Sequence, residues 1–599
     1  MNHPVDMTLA GVRARYEAGL TPAQLMQELR NKALEFDSYN VFIRLLNETE
    51  LAPYLERLSQ MDKSSCPLWG IPFVMKDNID LAGIPTTAAC EAFTYTPDQS
   101  AVVVQQLINL GALPVGKANL DQFATGLNGT RSPWGACGNS FDPSLVSGGS
   151  SSGSAVSVAL GLASFSLGTD TAGSGRIPAC FNNLVGVKPS RGLLSASGVV
   201  PACRSLDCVS IFALHCDDAN TVLAAAEGHD ELDGYSRHNP YDNQQHTYGR
   251  YKGALALGIV ADEQLKFFGD KHYEAAYQST IATLRDSGIT LVEIDYSPFD
   301  EAARLLYEGP WVSERYVATL PLIKENPEAM FPVVRDIISG GETPSAAELF
   351  KAQYRLQDLR KRCAAIVDSV DALLTPTAGA LFTIKQMLDK PVQHNSELGY
   401  YMNFVNLLDM AAIAVPTRFT DNGLPFGITL SAPAFSDRRL LSIANRIHEA
   451  ADVSLGATGL TKPAQSNAVA TRTDLMPLVV CGAHLQGLPL NHQLVERGAT
   501  LLEKTQTKDC YRLYALESGT VKRPALIRVD NEGAAIDVEV WQIPTVEVGS
   551  FLANVPAPLG LGRVQLSDGR ELTGFIAEPA ALTGAKDITA LGGWRAYVA

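Results

Sequence analysis

The chain lacks an excess of basic residues. Its 48 Lys and Arg stand against 64 Asp and Glu, which gives a formal net charge of −16 over 599 residues. Phosphate contacts depend on Lys and Arg, so a chain this acidic is poorly suited to nucleic acids or to anionic membrane surfaces. It also lacks the apolar run of about 18 residues that a membrane-spanning helix needs, and its first residues show no signal-peptide pattern. We therefore expect a cytoplasmic protein.

Metal-binding and disulfide patterns are missing as well. None of the ten cysteines forms a C-x-x-C pair, and there is no H-E-x-x-H or paired Cys/His spacing. The segment Gly111–Ala118 almost matches a phosphate loop. It ends in Ala118, however, where a hydroxyl would bind Mg²⁺, and its spacer is typical of an apolar strand. We expect no metal and no cofactor.

Composition changes once along the chain, at a stretch of small and polar residues from Ala451 to Asp474 that is typical of a linker. Before it, helical patterns alternate with short apolar runs such as Gly70–Met75 and Ala112–Gly116. After it, short β-rich runs lie between turn residues. We predict an α/β domain over 1–455, a linker over 456–474, and a smaller, mainly β, α+β domain over 475–599.

The densest chemical signal is a run of small residues from Ser147 to Pro178. Its segment Val156–Leu167 is too apolar for a flexible linker, and predicts one helix between loops that expose hydroxyl and N–H groups. Gly149–Gly153 satisfies the G-x-S-x-G motif of a nucleophile elbow. No strand leads into that motif, and no histidine supports it by position. A serine nucleophile here would therefore need another base.

Lys76 is the alternative base. It directly follows the apolar run Gly70–Met75, and therefore lies at the end of a predicted buried strand. Burial disfavours an ammonium group and lowers the pKa of a lysine. A neutral lysine can accept a proton, as it does in Ser-Lys variants of the serine triad. The pattern indicates a hydrolase with a lysine base.

Three motifs in order resemble the amidase signature family: GIPFVMKDN over 70–78, GGSSSG over 148–153 and GTDTAGSGRIP over 168–178. The spacings of 74 residues from Lys76 to Ser150 and 24 from Ser150 to Ser174 fit its Ser-Ser-Lys triad. The resemblance implies a mixed central sheet covered by helices. It also implies Ser174 as the nucleophile, Ser150 after a cis peptide bond as the proton relay, and Lys76 as the base.

The same resemblance implies that an oxyanion hole is formed by backbone N–H groups, those of Thr171, Ala172, Gly173 and Ser174. It also implies that three residues bind substrate: Gly126, Tyr307 and Arg315. Tyr307 and Arg315 are eight residues apart and could share one helix face, unless Pro310 interrupts the helix. An arginine beside a tyrosine hydroxyl suits a small carboxylate.

Three segments resemble the allophanate-hydrolase branch of this family: 125–135, 480–491 and 543–559. The last two belong to a domain similar to the γ-glutamyl cyclotransferase fold. The resemblance implies hydrolysis of allophanate to ammonia and N-carboxycarbamate, ending as ammonia and CO₂. His484, which follows a predicted strand, is the candidate base for decarboxylation; the alternative is a structural histidine in a domain that organises an oligomer.

As partners, the resemblance implies a homodimer and association with a urea carboxylase or an enzyme of triazine degradation. Three alternatives share the triad or its fold. They are an amidase for another small acid amide such as malonamate, the A-type subunit of a tRNA-dependent amidotransferase, and an inactive scaffold.

Overall fold

The computed structural model describes residues 5–240, 243–249, 254–462, 475–516 and 521–598. The chain divides into two compact units, Met1–Asn239 with Tyr248–Ala464, and Pro240–Thr247 with Gln465–Ala599. No helix in the described part is both long and apolar enough to cross a bilayer.

The first unit contains, within its described residues, an eleven-stranded mixed sheet. Its strands are β1 Phe42–Leu45, β2 Pro72–Lys76, β3 Leu113–Ala118, β4 Phe165–Asp170, β5 Val185–Lys188, β6 Cys208–Ala213, β7 Ala256–Val260, β8 Thr290–Ile294, β9 Ala372–Pro376, β10 Met410–Phe419 and β11 Pro425–Pro433. The strand order is β1-β3-β2-β4-β6-β5-β10-β11-β9-β7-β8. Every residue of β2, β3, β4 and β6 is buried, as expected where both faces of a sheet are covered.

The described part of the first unit also contains helices, several of which pack against this sheet. They are α1 Leu9–Glu17, α2 Pro22–Glu35, α3 Glu48–Ser59, α4 Val102–Asn109, α5 Ser152–Ala159, α6 Ile177–Phe181, α7 Cys216–Ala226, α8 Lys271–Asp286, α9 Ser297–Glu308, α10 Val312–Glu325, α11 Pro332–Ser339, α12 Ala346–Val367, α13 Ile384–Asp389, α14 Gln393–Gly399, α15 Phe404–Leu407 and α16 Asp437–Ala450. The sequence Ser345-Ala-Ala-Glu348 predicts a capping box at the start of a long helix. This prediction is confirmed at α12, because Ser345 and Glu348 bond each other's backbone N–H. The expected mixed sheet covered by helices is also confirmed.

One prediction in the serine-rich run is wrong. Val156–Leu167 is not a single helix, because α5 ends at Ala159 and β4 begins at Phe165. Gly161 turns the chain between them with a φ of +67°. The hydroxyls are not exposed either: Ser151 and Ser154 are buried and donate to carbonyls of β4. These hydroxyls fasten the helix to the strand.

Part of the predicted linker is described. Ser454–Leu455 (β12) pairs with Leu460–Thr461 (β13) in a short antiparallel ladder, and the Ala457 N–H donates to the carbonyl of Ala159. Residues 463–474 lie outside the described residues.

The second unit is mainly β, as predicted. Its elements are β14 Leu475–Val480, α17 His492–Val495, β15 Thr500–Gln506, β16 Tyr511–Leu516, β17 Arg523–Arg528, β18 Asp537–Pro544, α18 Val548–Leu552, β19 Leu559–Gln565, β20 Glu571–Ala577, β21 Lys586–Asp587 and α19 Trp594–Val598. They form one sheet in the order β15-β18-β14-β20-β19 and another in the order β17-β16-β21.

Candidate active site

The candidate site lies where three neighbouring strands end. β3, β2 and β4 are adjacent and parallel, so their carboxyl ends meet at the same edge of the sheet. Lys76 is the last residue of β2 and Asp170 the last of β4, while Asp121 follows β3. In α/β sheets this edge is the usual place for ligands and catalytic groups.

Lys76 is fully buried and makes two side-chain hydrogen bonds. Its Nζ donates to Ser150 Oγ at 2.8 Å and to Thr169 Oγ1 at 2.7 Å. Burial lowers the pKa of Lys76 to about 7, although the negative charges of Asp121, Asp207 and Asp170 act in the opposite direction. A large share of this amine is therefore neutral at physiological pH and can accept a proton.

Ser150 lies just before α5 and accepts the hydrogen bond from Lys76. The peptide bond between Gly149 and Ser150 is cis, which is the conformation that the family resemblance implies. The Ser150 carbonyl accepts a bond from the Asp121 N–H at 3.1 Å.

The turn after β4 is held by one buried ion pair. Arg176 donates through Nε and Nη2 to the two oxygens of Asp170, at 2.9 and 2.8 Å. The same carboxylate accepts from the N–H groups of Gly173 and Gly175, each at 2.9 Å. A bidentate pair of this kind fixes orientation as well as distance. The turn that carries Ser174 is therefore preorganised.

This arrangement changes the expected oxyanion hole. The N–H of Gly173 is bonded to Asp170 and is not available to a substrate. Within the described residues, the N–H groups of Thr171, Ala172 and Ser174 have no protein acceptor. Thr171 is held from its side chain, which donates to the Asp207 carboxylate. Three of the four expected donors thus remain free.

Ser174 is 3% exposed. Its Oγ lies 3.5 Å from the carbonyl oxygen of Gly126, one of the expected substrate-binding residues. Within the described residues, Ser174 makes no hydrogen bond to Ser150. In this structure, one hydrogen bond therefore connects Lys76 with Ser150, and another connects Ser174 with Gly126. Catalytic contacts of this kind often tighten only when substrate is bound.

Tyr307 and Arg315 do not share a helix. α9 ends at Glu308 and α10 begins at Val312, with Pro310 in the break. Arg315 is buried and its Nη1 donates to Thr125 Oγ1 at 2.9 Å and to the carbonyl of Ala124 at 3.1 Å. Its guanidinium therefore lies against the segment that leads into Gly126.

A second arginine, Arg131, was not found from the sequence. It is 2% exposed and donates to the carbonyls of Thr125 at 2.9 Å and Pro391 at 2.6 Å. Burial lowers the pKa of Arg131; the charge of Asp121 acts against this effect, as would Tyr307 in its ionised form, and the charge of Arg315 adds to it. Tyr307 and the two arginines are thus close enough to act on one another electrostatically.

His484, in the second unit, follows β14 and is 8% exposed. Its Nε2 bonds Gln493 Oε1 at 3.0 Å, and its ring stacks on Phe575 with centroids 4.9 Å apart. With Gln493 Oε1 as the acceptor, Nε2 carries the proton and Nδ1 is the basic nitrogen. Burial lowers the pKa of His484 to about 4, so the ring is neutral at pH 7. It lines a pocket with Cys481, Arg523 and Asn554.

Comparison with known proteins covers both units. The Amidase family matches residues 30–441, and the family described as Allophanate hydrolase C-terminal domain matches residues 476–599. Urea amidolyase of Saccharomyces cerevisiae is 42% identical over 575 residues, which cover 93% of this chain and 31% of the relative. The chain thus spans less than a third of the length of that relative.

Two further similarities differ in extent. The A-type subunit of Prochlorococcus marinus glutamyl-tRNA(Gln) amidotransferase is 31% identical over 486 residues, 75% of this chain and 98% of that protein. The solved structure of Kluyveromyces lactis allophanate hydrolase has a TM-score of 0.76 and 38% identity, and the match covers 99% of this chain and 98% of that one. The chain belongs to the amidase family, and carries the C-terminal domain of allophanate hydrolases.

Proposed function

We propose that the chain hydrolyses allophanate to ammonia and N-carboxycarbamate. The observation that carries the proposal is the hydrogen bond of the buried amine of Lys76 to Ser150, at the sheet edge where Arg315 contacts the segment before Gly126. The similarity to allophanate hydrolase over both units supports this substrate.

The proposed chemistry begins with proton transfer. Neutral Lys76 takes the proton of Ser150, which takes the proton of Ser174 as its Oγ attacks the carbonyl carbon of the terminal amide. The oxyanion accepts hydrogen bonds from the N–H groups of Thr171, Ala172 and Ser174. The proton then returns to the amide nitrogen, the C–N bond breaks and ammonia leaves. Preorganised donors of this type each contribute about 2.7–4 kcal/mol.

Hydrolysis of the acyl-enzyme completes the cycle. Water attacks the ester carbonyl, its proton passes through Ser150 to Lys76, and Ser174 is released with its hydroxyl restored. The products of allophanate and one water are ammonia and N-carboxycarbamate. Breakdown of N-carboxycarbamate then gives CO₂ and the second ammonia.

We propose that Arg315 and Tyr307 select the carboxylate of allophanate. Among the described residues, the hydrogen bonds that Arg315 donates go to neutral oxygens, which leaves room for a direct ion pair with an anionic substrate. A carboxylate attracts such a guanidinium more strongly than a neutral oxygen does.

We propose that the second unit, over 475–599, promotes decarboxylation, with Nδ1 of neutral His484 as the acceptor in its pocket. The urea amidolyase relative supports a place in urea breakdown. We propose that an ATP-dependent urea carboxylase supplies the allophanate. We also propose that the chain acts as a homodimer and that it is cytoplasmic. For the domain organisation, we propose that the first domain ends at residue 455 and that the linker begins at residue 456.

The test is ammonia release from allophanate, malonamate, glutamine and the neutral acetamide. Wild-type protein should prefer allophanate. Arg315→Lys should raise KM for allophanate about tenfold or more, since a charge-assisted bidentate contact is lost. It should lower acetamide turnover much less, and the control Arg304→Lys, at an exposed arginine on α9, should leave both substrates unaffected.

Each other outcome points to a different function. If the protein hydrolyses malonamate but not allophanate, the triad is retained and allophanate is rejected as the substrate. Preference for glutamine would favour an amidotransferase, the activity named for one relative. An unchanged KM in Arg315→Lys would place the carboxylate elsewhere.

A further inference from the structure

Asp121 contacts both parts of the candidate site. We propose that Asp121 is a positioning residue that holds the loop carrying Gly126 against the peptide carrying Ser150. The bound substrate and the hydroxyl of Ser150 then keep their positions relative to Ser174. The proposal rests on the proposed amide hydrolysis. Neither the family motifs nor the triad spacing pointed to this residue, which follows β3 as Lys76 ends β2.

The carboxylate of Asp121 organises the loop from one side. Its Oδ1 accepts the N–H of Arg131 at 2.9 Å, and its Oδ2 accepts those of Asn128 at 3.2 Å and Gly129 at 3.1 Å. The residue is fully buried. Three N–H groups converging on one buried carboxylate fix the path of the chain, because each bond is charge-assisted. The side chain of Arg131 then reaches back to the carbonyl of Thr125.

The backbone of Asp121 holds the relay serine on the other side. Its N–H donates to the Ser150 carbonyl at 3.1 Å. Gly149, which precedes Ser150, packs so closely that an added Cβ would lie 2.1 Å from Asp121 Oδ2. At Gly126 an added Cβ would lie 2.4 Å from the same oxygen. Both glycines are therefore required by close approach to this one carboxylate.

The charge of Asp121 also acts on the base. The charged groups around Lys76 are Asp121, Asp207, Asp170 and Arg315. The three carboxylates favour the ammonium form, Arg315 and burial disfavour it, and Asp121 makes the largest electrostatic contribution. Its removal should lower the pKa of Lys76. The acidic limb of kcat/KM, which reports protonation of the base in the free enzyme, should then move to lower pH.

The test compares Asp121→Asn with Asp437→Asn in the full-length chain. Asparagine keeps the shape but has one oxygen, so part of the loop loses its acceptor. We expect kcat/KM for allophanate to fall about 100-fold, the loss typical of a misplacement near 1 Å. We also expect the acidic limb to shift down by about one pH unit. Asp437 is equally buried and bonds the N–H and hydroxyl of Ser190, so its variant controls for loss of a buried carboxylate.

The Asp437→Asn control should keep the acidic limb of the wild-type pH profile, and its kcat/KM should lie within about threefold of the wild-type value. The reason is that substitution of a buried polar residue outside the site acts mainly on stability. An Asp121→Asn protein with wild-type kcat/KM, or with a reduced value and an unmoved limb, would overturn the proposal. If that variant does not fold, Gly126→Ala tests the same contact with the carboxylate in place. It should lower kcat/KM at least tenfold, and wild-type activity in it would overturn the proposal.

Failure of the proposed function is separable from failure of this inference. If wild-type protein does not release ammonia from allophanate, the substrate is wrong. The Asp121 comparison is then made with whichever amide the wild-type protein turns over, and its expected outcome is the same.

Discussion

Lys76 is expected to lower the stability of the protein at neutral pH, because a lysine that ionises freely in the unfolded chain is buried in the folded one. Burial lowers its pKa from 10.5 to about 7. Each unit of difference corresponds to about 1.4 kcal/mol, so this burial costs about 4 kcal/mol at pH 7. The unfolded state binds more protons between pH 7 and 10.5, so stability rises with pH across that window. At pH 10 the remaining cost is about 1 kcal/mol.

Lys76→Met should therefore abolish turnover and stabilise the fold at pH 7. Methionine has similar length and no charge, but it leaves the hydroxyls of Ser150 and Thr169 without this donor. Those lost bonds cost about 1 kcal/mol each. The expected net change is a gain of about 2 kcal/mol at pH 7 and a loss of about 1 kcal/mol at pH 10.

The assay is urea unfolding followed by tryptophan fluorescence at both pH values, with the transition of the first unit analysed. Lys117→Met is the matched control, since Lys117 is also buried on a neighbouring strand but pairs with Asp77 at 3.0 Å. Its loss leaves an unpaired buried group and should destabilise the protein by about 3–5 kcal/mol at pH 7. If Lys76→Met destabilises the protein equally at pH 7 and pH 10, the inference that burial lowers the pKa of Lys76 is refuted.

Three further results are expected. The kcat/KM for allophanate should fall tenfold per unit below about pH 7, because Lys76 must be neutral; a profile flat to pH 5 would contradict this base. Asp170→Asn should lower the unfolding free energy by about 3–5 kcal/mol, measured by urea unfolding, because Arg176 keeps a buried charge without its partner; a change below 1 kcal/mol would contradict the ion pair. His484→Gln should leave release of the first ammonia unchanged and slow CO₂ release, followed by a coupled assay; parallel loss of both would show a structural role.

Local pattern was sufficient to place the base. An apolar run followed by Lys76 predicted a buried strand with a lysine at its end, and the structure has that arrangement. The capping signal at Ser345 likewise predicted the start of α12, since a cap depends only on residues nearby in sequence. The same local view failed at Val156–Leu167, where a short apolar run does not distinguish a helix from a strand.

The rest of the site depends on contacts between distant parts of the chain. Arg131 reaches Pro391, and Arg315 reaches Thr125, across 260 and 190 residues. No periodicity in the sequence encodes such convergence. The sequence offers only a weak indication of Asp121: the residue lies shortly after the apolar strand β3, near the edge of the sheet where Lys76 ends β2.

The central claim is that Ser174 attacks the amide of allophanate. Ammonia release from allophanate by Ser174→Ala beside wild-type protein tests it most directly, with circular dichroism to show that the variant is folded. The account predicts rapid release by wild-type protein and a loss of at least about 1000-fold in the variant. Comparable release by the folded variant would contradict the nucleophile, and with it the mechanism.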